Sequence, residues 1–412
     1  MDVFCGIDWA EDHHDIALAG EDGKLLARRR ISDSAAGLAQ LLALLAEHGD
    51  TAADPIPVAI ETPRGLLVAA LRATGRKVYP VNPMAVARYR DRHSVSGGKS
   101  DPGDASVLAN VLRTDLHMHR PLPEDSELAQ AITVLARAQQ DAVWDRTQAH
   151  NKLRSHLREY FPGFLHAFSG KDGGITRPEA RVILAAAPTP GTAAQLTPGQ
   201  LTGLLRQAGR QRGIAAEAAR LHEAFQLPQM RQLPLVEDAM GRQTQALLRQ
   251  LDAACTSADD LEQAATSSFN QHPDARIITS FPGLGALTGA RVLAEIGDDR
   301  SRFKDARGLK AYAGAAPITR ASGKSRSVTQ RKVKNNRLAA AGYTWAFAAL
   351  TASPGARAHY DRRREAGERH TAAQRNLFNR LLGCLWHCLQ AGQHYDETTA
   401  FPATSKKLPH AA

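Results

Sequence analysis

Four carboxylates stand out from the 42 acidic residues of this 412-residue chain by where they fall. Asp8 ends the apolar stretch VFCGID, and Glu61 ends a second one, PVAIE. Asp101 and Asp104 sit three apart in KSDPGDASVLANVL, at the expected start of a helix, a spacing that puts both on one helical face. Acids converging from two strand ends and one helix offer the hard oxygen ligands that magnesium takes, with manganese as the alternative ion. A pair of such ions is a common device for phosphodiester chemistry. The helix pair also has a plain structural reading, since Asp101 before Pro102 is a good N-cap and Asp104 then completes a capping pattern. Capping explains that pair when it is taken alone. The metal reading rests on the conjunction, because a structural role at the ends of apolar strands would be filled at lower cost by a neutral residue.

A second group lies far along the chain. Ala306 to Tyr360 contains ten Lys and Arg and no Asp or Glu, and within it Arg320, Lys324, Arg326, Arg331, Lys332, Lys334 and Arg337 are candidate phosphate contacts. Ser322 falls between Pro317 and Gly323, on an expected loop, with Arg320, Lys324 and Arg326 close by. An alcohol is a poor nucleophile unless a base or metal assists it, while flanking cations can stabilise charge on an attacked phosphate. On this chemistry alone a turn or phosphate-contacting serine is the better reading, and Ser325 and Ser327 stand as alternatives. Upstream, FPGLGALTGARVLAEIG places Gly283 and Gly285 in a Gly-x-Gly turn between apolar helices. A helix-hairpin-helix of this kind holds phosphates with its amides, although an ordinary helical turn gives the same letters.

Composition narrows the partners. Lys plus Arg total 52 against 42 Asp plus Glu, a formal charge of +10 that favours nucleic acid. Hydrophobic residues at 43% and charged residues at 23% argue for a folded chain. The longest apolar run, Leu338 to Leu350, falls short of the roughly 20 residues that span a bilayer, so no membrane segment is expected. The opening residues lack a secretory pattern, and a cytoplasmic protein is expected. Four cysteines with no C-x-x-C support neither a disulfide framework nor a zinc ribbon. Cys384 and Cys388, with His387 between them, read best as buried residues of an Ala/Leu-rich helix. Aromatic residues at 5% argue against broad base-stacking platforms, leaving groove and backbone contacts from Lys and Arg.

These residues need a scaffold. Val3 to Asp8, His14 to Gly20 and Leu25 to Ile31 predict a three-strand meander. A helix through Leu38 to Leu45 follows a Ser32/Asp33/Ser34 capping cluster, and then come a strand at Pro57 to Glu61, a helix at Arg64 to Thr74 and a strand at Lys77 to Val81. Hairpins running into βαβ units predict a mixed sheet flanked by helices over residues 1–120. Apolar residues at three-four spacing from Leu128 to Leu157 and from Val236 to Ala265 predict two long helices, as an antiparallel pair, a dimer-forming coiled coil or ordinary bundle helices. They belong to a helical middle, 121–272, in which Gly163 to Gly203 is expected to form loops around a short helix. A mainly helical domain is placed at 273–395 and a loose tail at 396–412.

The motifs GIDWAEDHHDIAL, IETPRGL, KSDPGDA, N-x-L-R-x-x-L-x-x-Y-F-P at Asn151 to Pro162, FPGLGALTGARVLAEIGD, GLKAYAGAAP and SGKSR occur in order along nearly the whole chain. Together they resemble the IS110 family of insertion-sequence transposases, which includes the Piv-type recombinases. That resemblance implies an α/β plus α protein: a RuvC-like DEDD domain of ribonuclease-H fold, a coiled-coil middle, and a helical C-terminal transposase domain carrying a nucleophilic serine. By motif the acids match Asp8, Glu61, Asp101 and Asp104, and the serine matches Ser322. The resemblance further implies a magnesium-dependent recombinase that cuts and rejoins double-stranded donor and target DNA through a phosphoserine link. It would assemble as a dimer or tetramer and be guided by a structured bridge RNA. Two rivals follow from the residues themselves: a metal-only RuvC-like nuclease that hydrolyses DNA, and a non-enzymatic nucleic-acid binder whose acids merely cap helices.

Overall fold

The computed structural model describes residues 2–93, 101–170, 174–323 and 325–402. It divides into two compact units, Met1–Glu124 and Asp125–Ala412.

In the first unit, β1 (Val3–Trp9), β2 (His13–Gly20) and β3 (Leu25–Ser32) form an antiparallel meander. The chain then passes through α1 (Ala35–Glu47), β4 (Val58–Ile60), α2 (Leu66–Ala73), β5 (Val78–Pro80), α3 (Pro83–His93) and α4 (Asp101–Asp115). Sheet order is β3-β2-β1-β4-β5, with β4 parallel to both β1 and β5. Alternation along the strands sorts side chains between two layers. Cys5, Ile7, Val58 and Ile60 face the α1/α2 layer with Leu41, Leu45 and Leu71, while Phe4 and Ala59 meet Leu108, Val111 and Leu112 of α4. Ser34 is the residue of the capping cluster that starts α1, its side chain accepting from the Gly37 amide at 3.1 Å.

The second unit is helical apart from one hairpin. α5 (Glu127–Tyr160) and α11 (Pro234–Asn270) pack on each other within the one chain, antiparallel, with His156 near the end of α5 bonded to the Met240 carbonyl near the start of α11 at 2.9 Å. The antiparallel pair is therefore the arrangement adopted. Between them lie α6 (Pro162–Ala167), α7 (Pro178–Ala186), α8 (Pro190–Ala194), α9 (Pro198–Gln207) and α10 (Ile214–Gln226). The expected loops around a short helix are thus a set of short helices that share a core with α5 and α11, in which Phe161, Phe164, Ile183, Leu201, Leu221 and Phe225 are buried. Proline opens four of the five, and Thr189 and Thr197 form capping boxes; the Gly, Pro and Thr taken as loop signals are helix starts.

The far ends of α5 and α11 enter a second core with α12 (Ala275–Thr279), α13 (Ala286–Ile296), α14 (Ala306–Tyr312), α15 (Asn336–Ala352), α16 (Pro354–Glu365) and α17 (His370–Ala391), centred on the fully buried Trp345. A short α18 (Glu397–Ala400) follows within the segment expected as tail, and residues 403–412 lie outside the described residues. No described helix is long and apolar enough to cross a membrane.

Candidate active site

Strand register decides which acids meet. Ile7 of β1 pairs with Ile60 of β4, so Asp8 and Glu61 are the next residues at the carboxyl ends of two neighbouring parallel strands. The ladder runs on past Glu61's strand, since the Val81 amide donates to the Ile60 carbonyl at 2.9 Å. Asp8 shares its face of β1 with Phe4 and Gly6, the face that α4 covers.

Gly6 fixes how close α4 comes. A Cβ on Gly6 would lie 2.0 Å from the Ala105 carbonyl oxygen and 2.4 Å from the Ala109 amide nitrogen. Phe4 meets Leu108 and Leu112 further down the helix, so α4 runs with its N-terminus toward the Asp8 end of β1. The helix starts at Asp101, whose side chain lies outside the described residues. Asp104, 5% exposed, is bonded to Arg90 of α3. Asp8 and Glu61 are half-buried.

The sequence reading missed two members of this neighbourhood. Asp15 stands directly opposite Asp8 across the β1/β2 ladder, 6% exposed, with Arg30 of β3 donating two hydrogen bonds to its carboxylate at 3.1 and 2.8 Å. Glu61, Asp8, Asp15 and Arg30 thus form a row across four strands. A charged residue inside HHDIALAG was the available signal for Asp15, but its place opposite Asp8 depends on a register that letters alone do not give. Arg90 had no such signal, because its role arises only when α3 packs beside α4.

Oxygen donors of this kind, at strand ends and a helix start, suit a hard divalent cation by donor chemistry and by placement. Among the described residues, no three His, Cys, Asp or Glu are already gathered closely enough to hold an ion, and Arg90 occupies one carboxylate of the set. Cysteine takes no part: burial pushes the Cys5 thiol up to about 12, and Cys384 and Cys388 are likewise raised by desolvation.

The cations and Ser322 belong to the second unit. Ile318–Ser322 and Ser325–Thr329 pair as a two-stranded hairpin, β6 and β7, joined by Gly323 at φ 55° and Lys324, which lies outside the described residues. The expected loop is this ribbon, exposed along nearly its whole length and carrying Arg320 and Arg326 outward. Its base is rigid. Asn335 starts α15 by accepting from the Leu338 amide and donates to buried Glu295 at 2.6 Å and to the Tyr312 hydroxyl at 2.7 Å, while Arg137 holds Glu295 with bonds of 2.7 and 2.8 Å. Lys332 is exposed and Arg331 half-buried. Arg337 is committed elsewhere, paired with Asp141 at 2.8 and 2.9 Å and lying over the Trp144 ring. In the Gly-x-Gly turn, Gly283 at φ 78° packs on the α15 backbone, a would-be Cβ 2.5 Å from the Ala349 nitrogen, whereas Gly285 has open space beside it at the start of α13.

Acids at the ends of neighbouring strands, and cations on an exposed ribbon that have no ion pair among the described residues, are groups that suit work on a phosphodiester backbone. Comparison with known proteins makes the class definite. A DEDD transposase model of the IS110 type matches residues 5–162, and a second, described as transposase IS116/IS110/IS902 family, matches residues 275–361. The transposase assigned to the IS117 mini-circle of Streptomyces coelicolor is 66% identical over 97% of both chains. The IS116 44.8 kDa protein of Streptomyces clavuligerus is 30% identical over 94% of both, and the IS900 42 kDa protein of Mycobacterium paratuberculosis 28% identical over 98% of both. Thermus thermophilus RuvC bound to a Holliday junction shows a weak likeness, 18% identical with a TM-score of 0.23 over 30% of this chain and 100% of that one. The chain belongs to the IS110 family of insertion-sequence transposases and is an enzyme of DNA recombination.

One expectation is corrected. A covalent phosphoserine-DNA link through Ser322 is not the chemistry these findings favour: the N-terminal match is to a transposase type defined by its DEDD acids, which points to metal-dependent hydrolysis. The described residues give Ser322 no activating partner. Its hydroxyl ends an exposed strand and, among the described residues, has no hydrogen bond to a base. An alcohol so placed stays protonated and weakly nucleophilic.

Proposed function

We propose that this transposase cuts DNA by hydrolysis with the carboxylates Asp8, Glu61, Asp101 and Asp104, which would hold magnesium, and grips the backbone with the basic residues of its second unit. The observation that carries the reading is the in-register placement of Asp8 beside Glu61, with the start of α4 brought to them across Gly6. Bound there, divalent ions supply Lewis acidity to the phosphate and a more acidic water. The chain's own residues do the rest. Asp8 and Glu61 hold their oxygens at the ends of paired strands, and Asp104 would join them on release from Arg90. Arg30 donates to both oxygens of Asp15 and offsets the charge of that member of the row. The reading keeps a ribonuclease-H-like sheet as the scaffold, double-stranded donor and target DNA as substrates, and assembly as a dimer or tetramer. It also includes a structured guide RNA, for which the +10 balance and the acid-free block are the support.

The test is to incubate the full chain with DNA carrying the element's ends, with magnesium or with EDTA, and to examine the products after denaturation. Cleavage with magnesium and none with EDTA, leaving ends free of protein, is the expected result; full activity in EDTA would overturn the reading.

The hairpin contributes its own expectation. Neutralising phosphates releases counterions, about 0.9 per contact on duplex DNA, so affinity falls steeply with salt. Replacing Arg320 and Arg326 together with alanine weakens binding similarly on unrelated duplexes and flattens the plot of log K against log salt by about two. An unchanged slope would remove the ribbon from the interface.

A further inference from the structure

A cavity of about 370 Å³ opens at the root of the hairpin, between α15, α17 and the segments that enter β6 and leave β7. That volume lies within the range of small-molecule sites, roughly 300–1,000 Å³. Phe378 gives it an apolar wall, its ring seated against Gly342, where a Cβ would meet ring carbons at 2.1–2.4 Å. Tyr343, 50% exposed, lines it from α15. Gln374 lines it from α17 and is 1% exposed. Its Nε2 donates to the Tyr343 carbonyl at 2.9 Å, which fixes the amide's orientation, and its buried Oε1 has no hydrogen-bond donor among the described residues. Lys334 and Arg375 also line it, beside Gln330 and Thr371, and neither cation is ion-paired with a described carboxylate.

Native proteins seldom leave a buried acceptor unmatched, and one lining a cavity calls for a donor from the occupant. Two cations without a described carboxylate partner suit a phosphate, an exposed aromatic ring suits the face of a base, and an unmatched acceptor suits a base N–H. We infer that the cavity receives one nucleotide of bound DNA, unpaired or swung out of the duplex. Its phosphate lies with Lys334 and Arg375, its base beside Tyr343 and Phe378, and a base N–H on Gln374 Oε1. A stacked, paired base cannot enter such a recess, so extrusion is required and is least costly where the nucleotide is already unpaired. Lys334 belongs to the chain leaving β7, which leads a strand held by the ribbon toward the opening. The inference rests on the chain's acting on DNA, and adds the form of DNA that the second unit selects.

The test measures binding of the full chain in EDTA to three labelled duplexes of one sequence: fully paired, bearing one extra unpaired nucleotide, and bearing an extra abasic residue at the same place. The unpaired nucleotide is expected to tighten binding about tenfold over the paired duplex, the size of one well-made hydrogen bond with its stacking, and the abasic residue not at all. Gln374→Leu, which keeps the volume and removes the acceptor, brings the ratio near one. Tyr343→Ala, at an exposed position, does the same even where the first variant folds poorly, and melting curves establish which variants are folded. Equal binding of all three duplexes, a preference shared by the abasic duplex, or a preference that survives in the folded variants would each overturn the assignment. A preference for an unpaired nucleotide in RNA but not in DNA would do so as well. So would displacement by free deoxynucleoside monophosphates at concentrations near the duplex Kd, which would assign the cavity to a free nucleotide. Neither metal nor cleavage enters this measurement, so its failure leaves the hydrolytic reading standing, and a chain that fails to cleave can still pass it.

Discussion

Asp8→Asn leaves DNA affinity close to that of the parent chain and lowers strand cleavage on the order of a thousandfold, about 4 kcal/mol of barrier. Glu61→Gln and Asp104→Asn do the same, because an amide keeps the shape of the side chain but not the charge that a divalent cation requires. Combining any two adds little, since groups that act as one unit are already disabled by the first loss. Affinity is spared because the acid-free block from Ala306 to Tyr360 lies in the other unit. The contrasting variant is Asp15→Asn. Asp15 is buried and holds Arg30, so its loss is read in a lower melting temperature as well as in rate. Cleavage assays and filter binding on the same preparations separate these effects. An Asp8 variant retaining a tenth of the parent rate would sink the metal site and return Asp8 to a structural role.

Much of this architecture was legible because burial leaves a period in the letters. The meander, α1 and both long helices follow from alternation and from three-four spacing, since each buries one continuous face. The hairpin β6/β7 was read as a loop for the opposite reason: Ile318–Ser322 and Ser325–Thr329 cover no core, so no alternation marks them. The short helices between Pro162 and Gln226 were missed because each buries only a few side chains, and the proline and threonine that start them look like loop residues. Of the residues proposed for the site, Asp8 and Glu61 were legible as charges ending apolar runs. Asp15 and Arg90 were not, because one depends on strand register and the other on helix packing. Among the candidate phosphate contacts, only packing removes Arg337 to Asp141, and only packing covers Gly283 with α15.

Gly6→Ala is expected to be damaging out of proportion to the single methyl group it adds. Its Cβ would fall 2.0 Å from the Ala105 carbonyl oxygen and 2.4 Å from the Ala109 amide, both of them backbone atoms that no rotamer change can move aside. Relief requires α4 to retreat from β1, which opens the layer where Phe4 meets Leu108 and Leu112. Overpacking of this kind costs about 1–3 kcal/mol, and rigid backbone neighbours place this site at the upper end. The functional loss is larger than the loss of stability, because the same retreat carries Asp104 and the start of α4 away from Asp8 and Glu61. A displacement of about 1 Å is enough to cost roughly a hundredfold in rate. The expected variant is therefore folded at low temperature, with a reduced melting temperature, near-parental DNA affinity through the second unit, and cleavage down by at least about a hundredfold. Measuring rate well below the variant's melting transition keeps unfolding out of the comparison. Parental cleavage from a Gly6→Ala chain would mean that α4 does not deliver its carboxylate to the strand ends, and the proposed placement of the acids would have to be rebuilt without it.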